Sequence, residues 1–284
     1  MPDTTYLHPR PGRWGRFLTR WMTCRALLGL RRHLLSRLPF LVLRSDVRDV
    51  VYLNWLVDAE AMAHLVPPGV RLWQRDGQTL FTVLTYGHRH FGPALAGPLR
   101  RLFPSPLQSN WRLYVEGLPG GRPAASTVLF VRNVLDSTLY TFVTRLFSDA
   151  LPSHLALRFE HRREGDRFET LITSGQGSAP GLRCDAKLAP LRTLPPAFAG
   201  LFPSWEAAVE HACVQHTAIC PLAGTARIAQ ADIDLPIDLA TVQPLDARVE
   251  PGGDGFLAGL VAGRPLWSFV VPATPFRVLG ERLL

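Results

Sequence analysis

Lysine is nearly missing from this chain: Lys187 is the one lysine among 31 lysines and arginines in 284 residues. Side-chain amine chemistry therefore rests on a single residue. A lysine buried in a β-rich pocket can form an imine when burial lowers its pKa, whereas an exposed lysine is the ordinary case. Cysteine is scarce too. Cys24, Cys184, Cys213 and Cys220 follow no regular spacing and no secretory pattern precedes them, so reduced thiols in a cytoplasmic protein are expected. A P-loop, a GxGxxG opening a helix and a GxSxG elbow are all absent, which argues against phosphate-driven chemistry. No uncharged run approaches the roughly 18 residues that a spanning helix needs. Neither an internal repeat nor a low-complexity linker breaks residues 46–284. With 47% hydrophobic and 19% charged residues the composition is that of a packed globule, and one domain over 46–284 is the economical division.

Acidic residues are lacking in one region. Residues 1–45 hold nine arginines and a single acid, Asp3, while residues 46–284 balance 22 basic against 22 acidic side chains. The net charge of +8 thus sits in an N-terminal arm, and a neutral body argues against nucleic acid as a partner. Leu27, Leu30, Leu34, Leu35 and Leu38 recur at spacings of three and four, with Arg25, Arg32, Ser36 and Arg37 elsewhere on the wheel. An amphipathic helix is therefore expected over Cys24–Leu38, stopped by Pro39, with Trp14, Phe17 and Trp21 upstream. Such an arm can pack its leucines on the body and solvate its arginines. It can also make a peripheral contact with an anionic membrane face, or act as an organelle transit segment.

From Ser45 onward the texture is that of strands. Asp49–Val57, Leu80–Tyr86, Trp111–Glu116, Thr127–Leu135, Leu155–Arg162 and Arg167–Ser174 are rich in β-branched and aromatic residues. A short helix through Met62 to Val66, capped by Asp58, and longer ones over Asp136–Ala150 and Trp205–Ile219 are expected between them. The tail reads as short strands broken by Pro236, Pro244, Pro251 and Pro265.

Two groups carry metal-like spacing. His88 and His90 stand two apart on a strand ending near solvent, and Cys213, His216 and Cys220 share a face of the second long helix. The first group has no third ligand and the second suits packing, so neither a metal nor a cofactor is expected. Asn110, Arg112 and Tyr114 alternate onto one strand face, where three polar groups need partners or a ligand. Arg132 and Arg145 could join Arg112 in holding an anion, although arginine-rich chains leave most arginines exposed. His154 could act as acid or base, since its ordinary pKa lies near working pH.

The stretch Val51–Val70, which contains YLNWLVDAEAMAHLVPPGV, resembles the start of the acetoacetate-decarboxylase-like superfamily, and more closely its uncharacterised YqjF-like branch. Asn110-Trp111-Arg112-Leu113-Tyr114-Val115 is similar to the family's Asn-x-Arg-x-Tyr-Val strand. Asp136-Ser137, Arg145-Leu146-Phe147 and Leu151-Pro152 resemble its helix and the leucine-proline step that follows. The likeness covers roughly residues 48–190. It implies an α+β, β-rich fold: a closed, cone-like antiparallel sheet or barrel with flanking helices and a central ligand cavity, here preceded by the amphipathic arm. True acetoacetate decarboxylases carry a lysine pair at the position of Ser153-His154, the first lysine forming a Schiff base and the second lowering its pKa. Neither lysine is present, and the family's acid ahead of the Asn-x-Arg strand corresponds to Gln108. The resemblance therefore implies a small-molecule protein for an anionic or carbonyl-bearing ligand, held by Asn110, Arg112, Tyr114, Arg132, Arg145 and Ser153. His154 would move a proton if the protein is catalytic. Two alternatives stand beside it: a non-catalytic binding module held at a membrane by the arm, and an imine-forming lyase using Lys187. Homo-oligomerisation is open in each.

Overall fold

The computed structural model describes residues 5–35, 37, 39–222, 225 and 227–284. In chain order its strands are β1 (Leu43–Asp58), β2 (Arg71–Leu72), β3 (Gln78–Pro93), β4 (Leu107–Leu118), β5 (Arg122–Leu135), β6 (His154–Leu155), β7 (Arg158–Glu164), β8 (Arg167–Thr173), β9 (Leu182–Leu188), β10 (Thr217–Pro221), β11 (Ile228–Asp234), β12 (Gln243–Pro251) and β13 (Leu266–Leu283). Its helices are α1 (Arg13–Met22), α2 (Arg25–Leu35), α3 (Thr138–Phe147), α4 (Pro196–Ala199), α5 (Trp205–Cys213) and α6 (Phe256–Val261).

Strands β1, β3, β4, β5, β10, β11 and β13 are neighbours in that order, and β13 pairs back onto β1 from Leu43↔Val278 to Trp55↔Leu266. The sheet therefore closes on itself. A second sheet, β12–β9–β8–β7, branches from β13, which pairs with β12 through Ser268–Val270 and with β11 from Arg277 onward. The fold is β-rich with flanking helices, but the ring is mixed and not antiparallel throughout: β5 runs parallel to β10 and to β6. Helices α3, α4 and α5 and strands β6 to β9 intervene between β5 and β10, so the chain re-enters the ring from the same end instead of turning back in a hairpin.

Both faces of the ring strands are covered over their inner halves, so residues 50–57 of β1 read as a near-continuous apolar run and not as an alternation. On one face Tyr52, Leu56, Leu84, Tyr114, Phe130 and Phe269 pack against Trp205, Val209, Ala212 and Cys213 of α5. On the opposite face Leu53, Trp55, Phe81, Trp111 and Leu129 pack against Leu257 and Leu260 of α6 and against Phe168, Ile172 and Ala186 of the second sheet. A bulge in β5 matters for both faces. Trp111 pairs with Arg132 but Arg112 pairs with Phe130, so Val131 is the extra residue and the alternation inverts beyond it.

Several elements depart from the sequence expectations. In the tail Pro236 and Pro265 lie outside strands and Pro251 ends β12, but Pro244 lies inside β12 and β13 is not short: it runs for 18 residues through Pro272 and Pro275. Both prolines lie where β13 has left β12 and not yet reached β11, so their missing amide protons interrupt a ladder on fewer edges. Helix α5 ends at Cys213, and Thr217 and Ile219 pair with β5 as part of β10. Cys213, His216 and Cys220 therefore do not share a helix face. His88 is buried and not near solvent, and His90 adopts a left-handed φ of 53°, which breaks the strand alternation between them.

The arm forms two helices, α1 and α2, in place of one over Cys24–Leu38. Ser36 and Leu38, and the side chains of Arg25, Leu34 and Leu35, lie outside the described residues. The arm is docked on the body. Tyr6, Leu18 and Met22 are buried in one cluster with Leu155 and Phe142, each apolar side chain contributing roughly 1.5–3 kcal/mol. Upstream, Ser178 N donates to Leu7 O (3.2 Å) and Gln176 N to Pro9 O (3.1 Å). The approach is close enough that a Cβ on Gly177 would fall 2.8 Å from Pro9 Cα. Asp149 accepts from Arg31 (2.5 Å) and, in a two-pronged pair, from Arg32 (2.9 Å to each oxygen). Among the described residues no helix is long and apolar enough to cross a membrane.

Candidate functional site

The face that packs on α5 holds a buried polar network. Even-numbered residues of β4 point there, bringing Gln108, Asn110, Arg112 and Tyr114 beside Thr82, Tyr86 and His88 of β3. The bulge at Val131 turns Asn133 to the same side. Gln108 is the hub. Its Nε2 donates to Asn110 Oδ1 (2.9 Å) and Asn133 Oδ1 (2.7 Å), and its Oε1 lies 2.6 Å from His88 Nε2. Because that oxygen only accepts, His88 carries its proton on Nε2 and leaves Nδ1 to Ser45 Oγ at 2.9 Å. Burial pushes the His88 pKa down to about 4, against the hydrogen bond to Gln108, which raises it. At the far end Asn133 Nδ2 donates to Ser153 Oγ (2.6 Å), which also meets Thr144 Oγ1 (2.8 Å). Ser45, His88, Gln108, Asn110, Asn133, Thr144 and Ser153 are all buried, and all are neutral near pH 7.

Beyond Asn110 the network becomes charged. Arg112 is 5% exposed, and its Nη2 donates to Ala212 O (2.6 Å) and Tyr114 Oη (3.3 Å). Its guanidinium stands over the rings of Tyr52 (5.5 Å) and Tyr114 (5.4 Å). Its Nε has no hydrogen-bond partner among the described residues. No carboxylate among them pairs with Arg112. Tyr114 Oη donates to Ala212 O (3.1 Å) and lies 3.1 Å from Thr82 Oγ1, which donates to Asn54 Oδ1 (2.7 Å). Next to Tyr114 a cavity of about 160 Å³ opens between β4, β5 and α5, with Thr127, Glu210, His211 and Gln215 in its wall. Burial, then the charges of Arg75 and Arg112, push the His211 pKa down to about 4.

His154, Arg132 and Arg145 lie elsewhere. His154, the first residue of β6, does not join the network of Ser153: its Nδ1 lies 2.7 Å from Ser178 Oγ. Burial, then the nearby charges of Arg145 and Arg132, hold its pKa well below the ordinary value. Arg145 donates to Ser153 O (3.0 Å) and sits over the Tyr6 ring at 5.0 Å, while Arg132 sits over Phe256 of α6 at 4.9 Å. Arg132 therefore faces away from Arg112, because the bulge separates them. The arm covers this second cluster through Tyr6 and Leu7.

Lys187 belongs to neither cluster. On β9 the alternate residues Leu182, Cys184 and Ala186 are buried, which turns Lys187 outward. Its side chain is 65% exposed and its Nζ lies 3.4 Å from Asp166. The sequence thus placed Asn110, Arg112 and Tyr114 on one face, and Ser153, named through the resemblance, joins their network through Asn133 and Gln108. The sequence missed His88 as an interior group, along with Asn133, Thr144 and Ser45. Alternation along β3 was a usable signal for His88, whereas Asn133 depended on a bulge.

Residues 44–211 match the model of the DUF2071 family, described as "Uncharacterized conserved protein", and the chain belongs to that family. None of the curated proteins matches the sequence. Among solved structures the fold is similar to the enduracididine biosynthesis enzyme MppR complexed with the condensation product of pyruvate and imidazole 4-carboxaldehyde. That match has a TM-score of 0.58 at 14% identity and covers 85% of this chain and 88% of that one. It is also similar to acetoacetate decarboxylase from Legionella pneumophila (TM-score 0.56, 10% identity, 85% and 86% covered). A third, an acetoacetate decarboxylase-like enzyme from Sphingomonas wittichii RW1, gives a TM-score of 0.57 at 12% identity, with 87% and 94% covered. The chain therefore has the acetoacetate-decarboxylase-like fold.

Proposed function

We propose that this protein binds a small molecule bearing a carboxylate or carbonyl group at Arg112, and does so without imine chemistry. The observation that carries this reading is a buried guanidinium with no carboxylate counterpart among the described residues. Burying such a charge costs several kcal/mol unless an anion or a set of dipoles offsets it. Arg112 has one carbonyl, one tyrosine hydroxyl and two aromatic faces, and keeps Nε unused. A planar carboxylate accepts from two guanidinium donors at once, and Tyr114, whose hydroxyl accepts from Arg112, also lines the cavity between β4, β5 and α5. Ser153 and Gln108, at the positions that the resemblance gives to the lysine and the acid, are joined through Asn133 into one neutral chain. Such a chain orients a polar ligand by dipoles and has no amine to attack a carbonyl. One protein of similar fold holds pyruvate, which recommends small keto acids as probes.

The test is thermal unfolding of the wild type and of Arg112→Met in pyruvate and a series of short mono- and dicarboxylates. Methionine fills a similar volume, and replacing a buried charge by an apolar side chain is often near neutral for stability. A ligand at about 100 times its Kd stabilises the native state by roughly 2.7 kcal/mol, and that gain is expected in the wild type alone. An equal gain in Arg112→Met, or none with any carboxylate at millimolar concentration, rejects the reading.

A further inference from the structure

The arm carries an exposed aromatic row that its docking on the body leaves pointing outward. At 100° per residue, Gly15, Leu18 and Met22 of α1 fall on one arc, and these are its buried residues. Trp14, Phe17 and Trp21 fall on the adjacent arc and are 69%, 45% and 45% exposed. Their rings touch in sequence, Trp14 stacked on Phe17 at 5.3 Å and Phe17 beside Trp21 at 5.7 Å. Arg13, Arg16 and Arg20 occupy the next arc, all exposed. None of the three pairs with a carboxylate among the described residues, and α1 itself contains no acid. The neighbouring helix α3, whose Phe142 packs on the buried face of α1, exposes Leu139, Val143 and Phe147 at intervals of four.

We propose that α1 lays Trp14, Phe17 and Trp21 into the headgroup region of an anionic lipid surface, with Arg13, Arg16 and Arg20 on the phosphates beside them. Indole rings favour the boundary between headgroups and acyl chains, and arginines near the surface add electrostatic attraction to anionic lipid. Charge selects this occupant over a second copy of the chain. The whole excess of +8 resides in residues 1–45, so two arms face to face would repel, whereas an anionic surface attracts both. On α2, Arg31 and Arg32 are taken up by Asp149, whereas Arg13, Arg16 and Arg20 of α1 are exposed and pair with no carboxylate among the described residues.

The experiment is flotation of the full chain with vesicles of phosphatidylcholine, alone or mixed with phosphatidylglycerol. Binding is expected with the anionic vesicles only and should weaken as salt rises. Replacing Arg13, Arg16 and Arg20 together by Gln should lower partitioning roughly 100-fold. Replacing Trp14, Phe17 and Trp21 together by Ser should lower it as well. Both sets of side chains are exposed, so an unchanged unfolding midpoint serves as the folding control. In the unaltered chain, lipids brominated in the acyl chain should quench tryptophan emission, and Trp14→Phe with Trp21→Phe should remove most of that quenching. Absence of binding, equal binding to neutral vesicles, or no quenching overturns the proposal. So does lipid-free self-association that the Ser variant abolishes, which would assign the aromatic row to a second copy.

Discussion

Ser153 and His154 are adjacent in the chain and stand in two different kinds of polar interior. Ser153 ends a chain of neutral groups in which each donor meets an acceptor: His88, Gln108, Asn133, Ser153 and Thr144. His154 stands among charged or chargeable groups, Arg145, Arg132 and Tyr6, shielded from water by the arm. In the first region stability comes from complete pairing, so the loss of one member strands several others. In the second, burial first and then the like charges of Arg145 and Arg132 hold the imidazole pKa well below its ordinary value, and the cover over the cluster comes from a separate segment. The two regions should therefore differ in how they fail.

The largest expected effect breaks the neutral chain. Gln108→Leu leaves the His88 donor and Asn133 Oδ1 without partners, and leaves Asn110 Oδ1 with only the long contact to Tyr86 Oη at 3.4 Å. At about 1–3 kcal/mol for each stranded group, a loss of roughly 3–5 kcal/mol is expected in urea unfolding. Ser178→Ala on the arm side removes the partner of His154 Nδ1 and the acceptor of Leu7 N, and should cost about 1–2 kcal/mol. Equal losses in the two variants would erase the distinction between a cooperative chain and a covered cluster.

Acid sharpens the same comparison. The His88 pKa is lowered to about 4, and that of His154 lies well below its ordinary value. When unfolded, both return to about 6.5. Between those values the unfolded chain binds a proton that the folded chain refuses, so stability falls as pH drops below about 6.5. Each such histidine contributes up to about 1.4 kcal/mol per pH unit. Above that range the contribution is constant. His154→Gln, which can still bond Ser178, should flatten the slope by one proton while leaving the His88 share intact. Unfolding free energies measured between about pH 6 and 5 decide it, and an unchanged slope would mean that His154 is already protonated in the folded protein.

What the sequence disclosed follows the same division. Alternation on β4 is local, so Asn110, Arg112 and Tyr114 could be placed on one face from spacing alone. Grouping Arg132 with Arg112 failed because the extra residue Val131 inverts the strand, and nothing in Phe130-Val131-Arg132-Asn133 announces a bulge. Of the tail prolines read as breaks, Pro236, Pro251 and Pro265 lie outside strands or at a strand end, while Pro244 lies inside β12. The length of β13 was hidden because Pro272 and Pro275 sit at a fork between two partner strands, a tertiary circumstance. Helix α1 escaped notice because its apolar residues divide into a buried arc and an exposed aromatic one, which blurs a single amphipathic stripe. The closed ring was implied by family resemblance and not by any periodicity, since strands covered on both faces carry little alternation.

The smallest expected effect concerns the residue whose rarity first drew attention. Lys187 belongs to neither region: it projects from β9 into solvent, 3.4 Å from an Asp166 whose side chain is itself half exposed. An exposed ion pair of this kind contributes within about 0.5 kcal/mol, so Lys187→Gln should leave the unfolding midpoint almost unmoved. It should also leave carboxylate binding unmoved, in contrast to Arg112→Met. Borohydride reduction in the presence of pyruvate, read by peptide mass, is expected to yield no adduct on Lys187 beyond the background at the chain's terminal amine. A stoichiometric adduct there, suppressed by other carboxylates, would mean that the second sheet rearranges to bring β9 to the ligand. It would move the chemistry from the neutral chain at Gln108 and Ser153 to the one lysine the protein has.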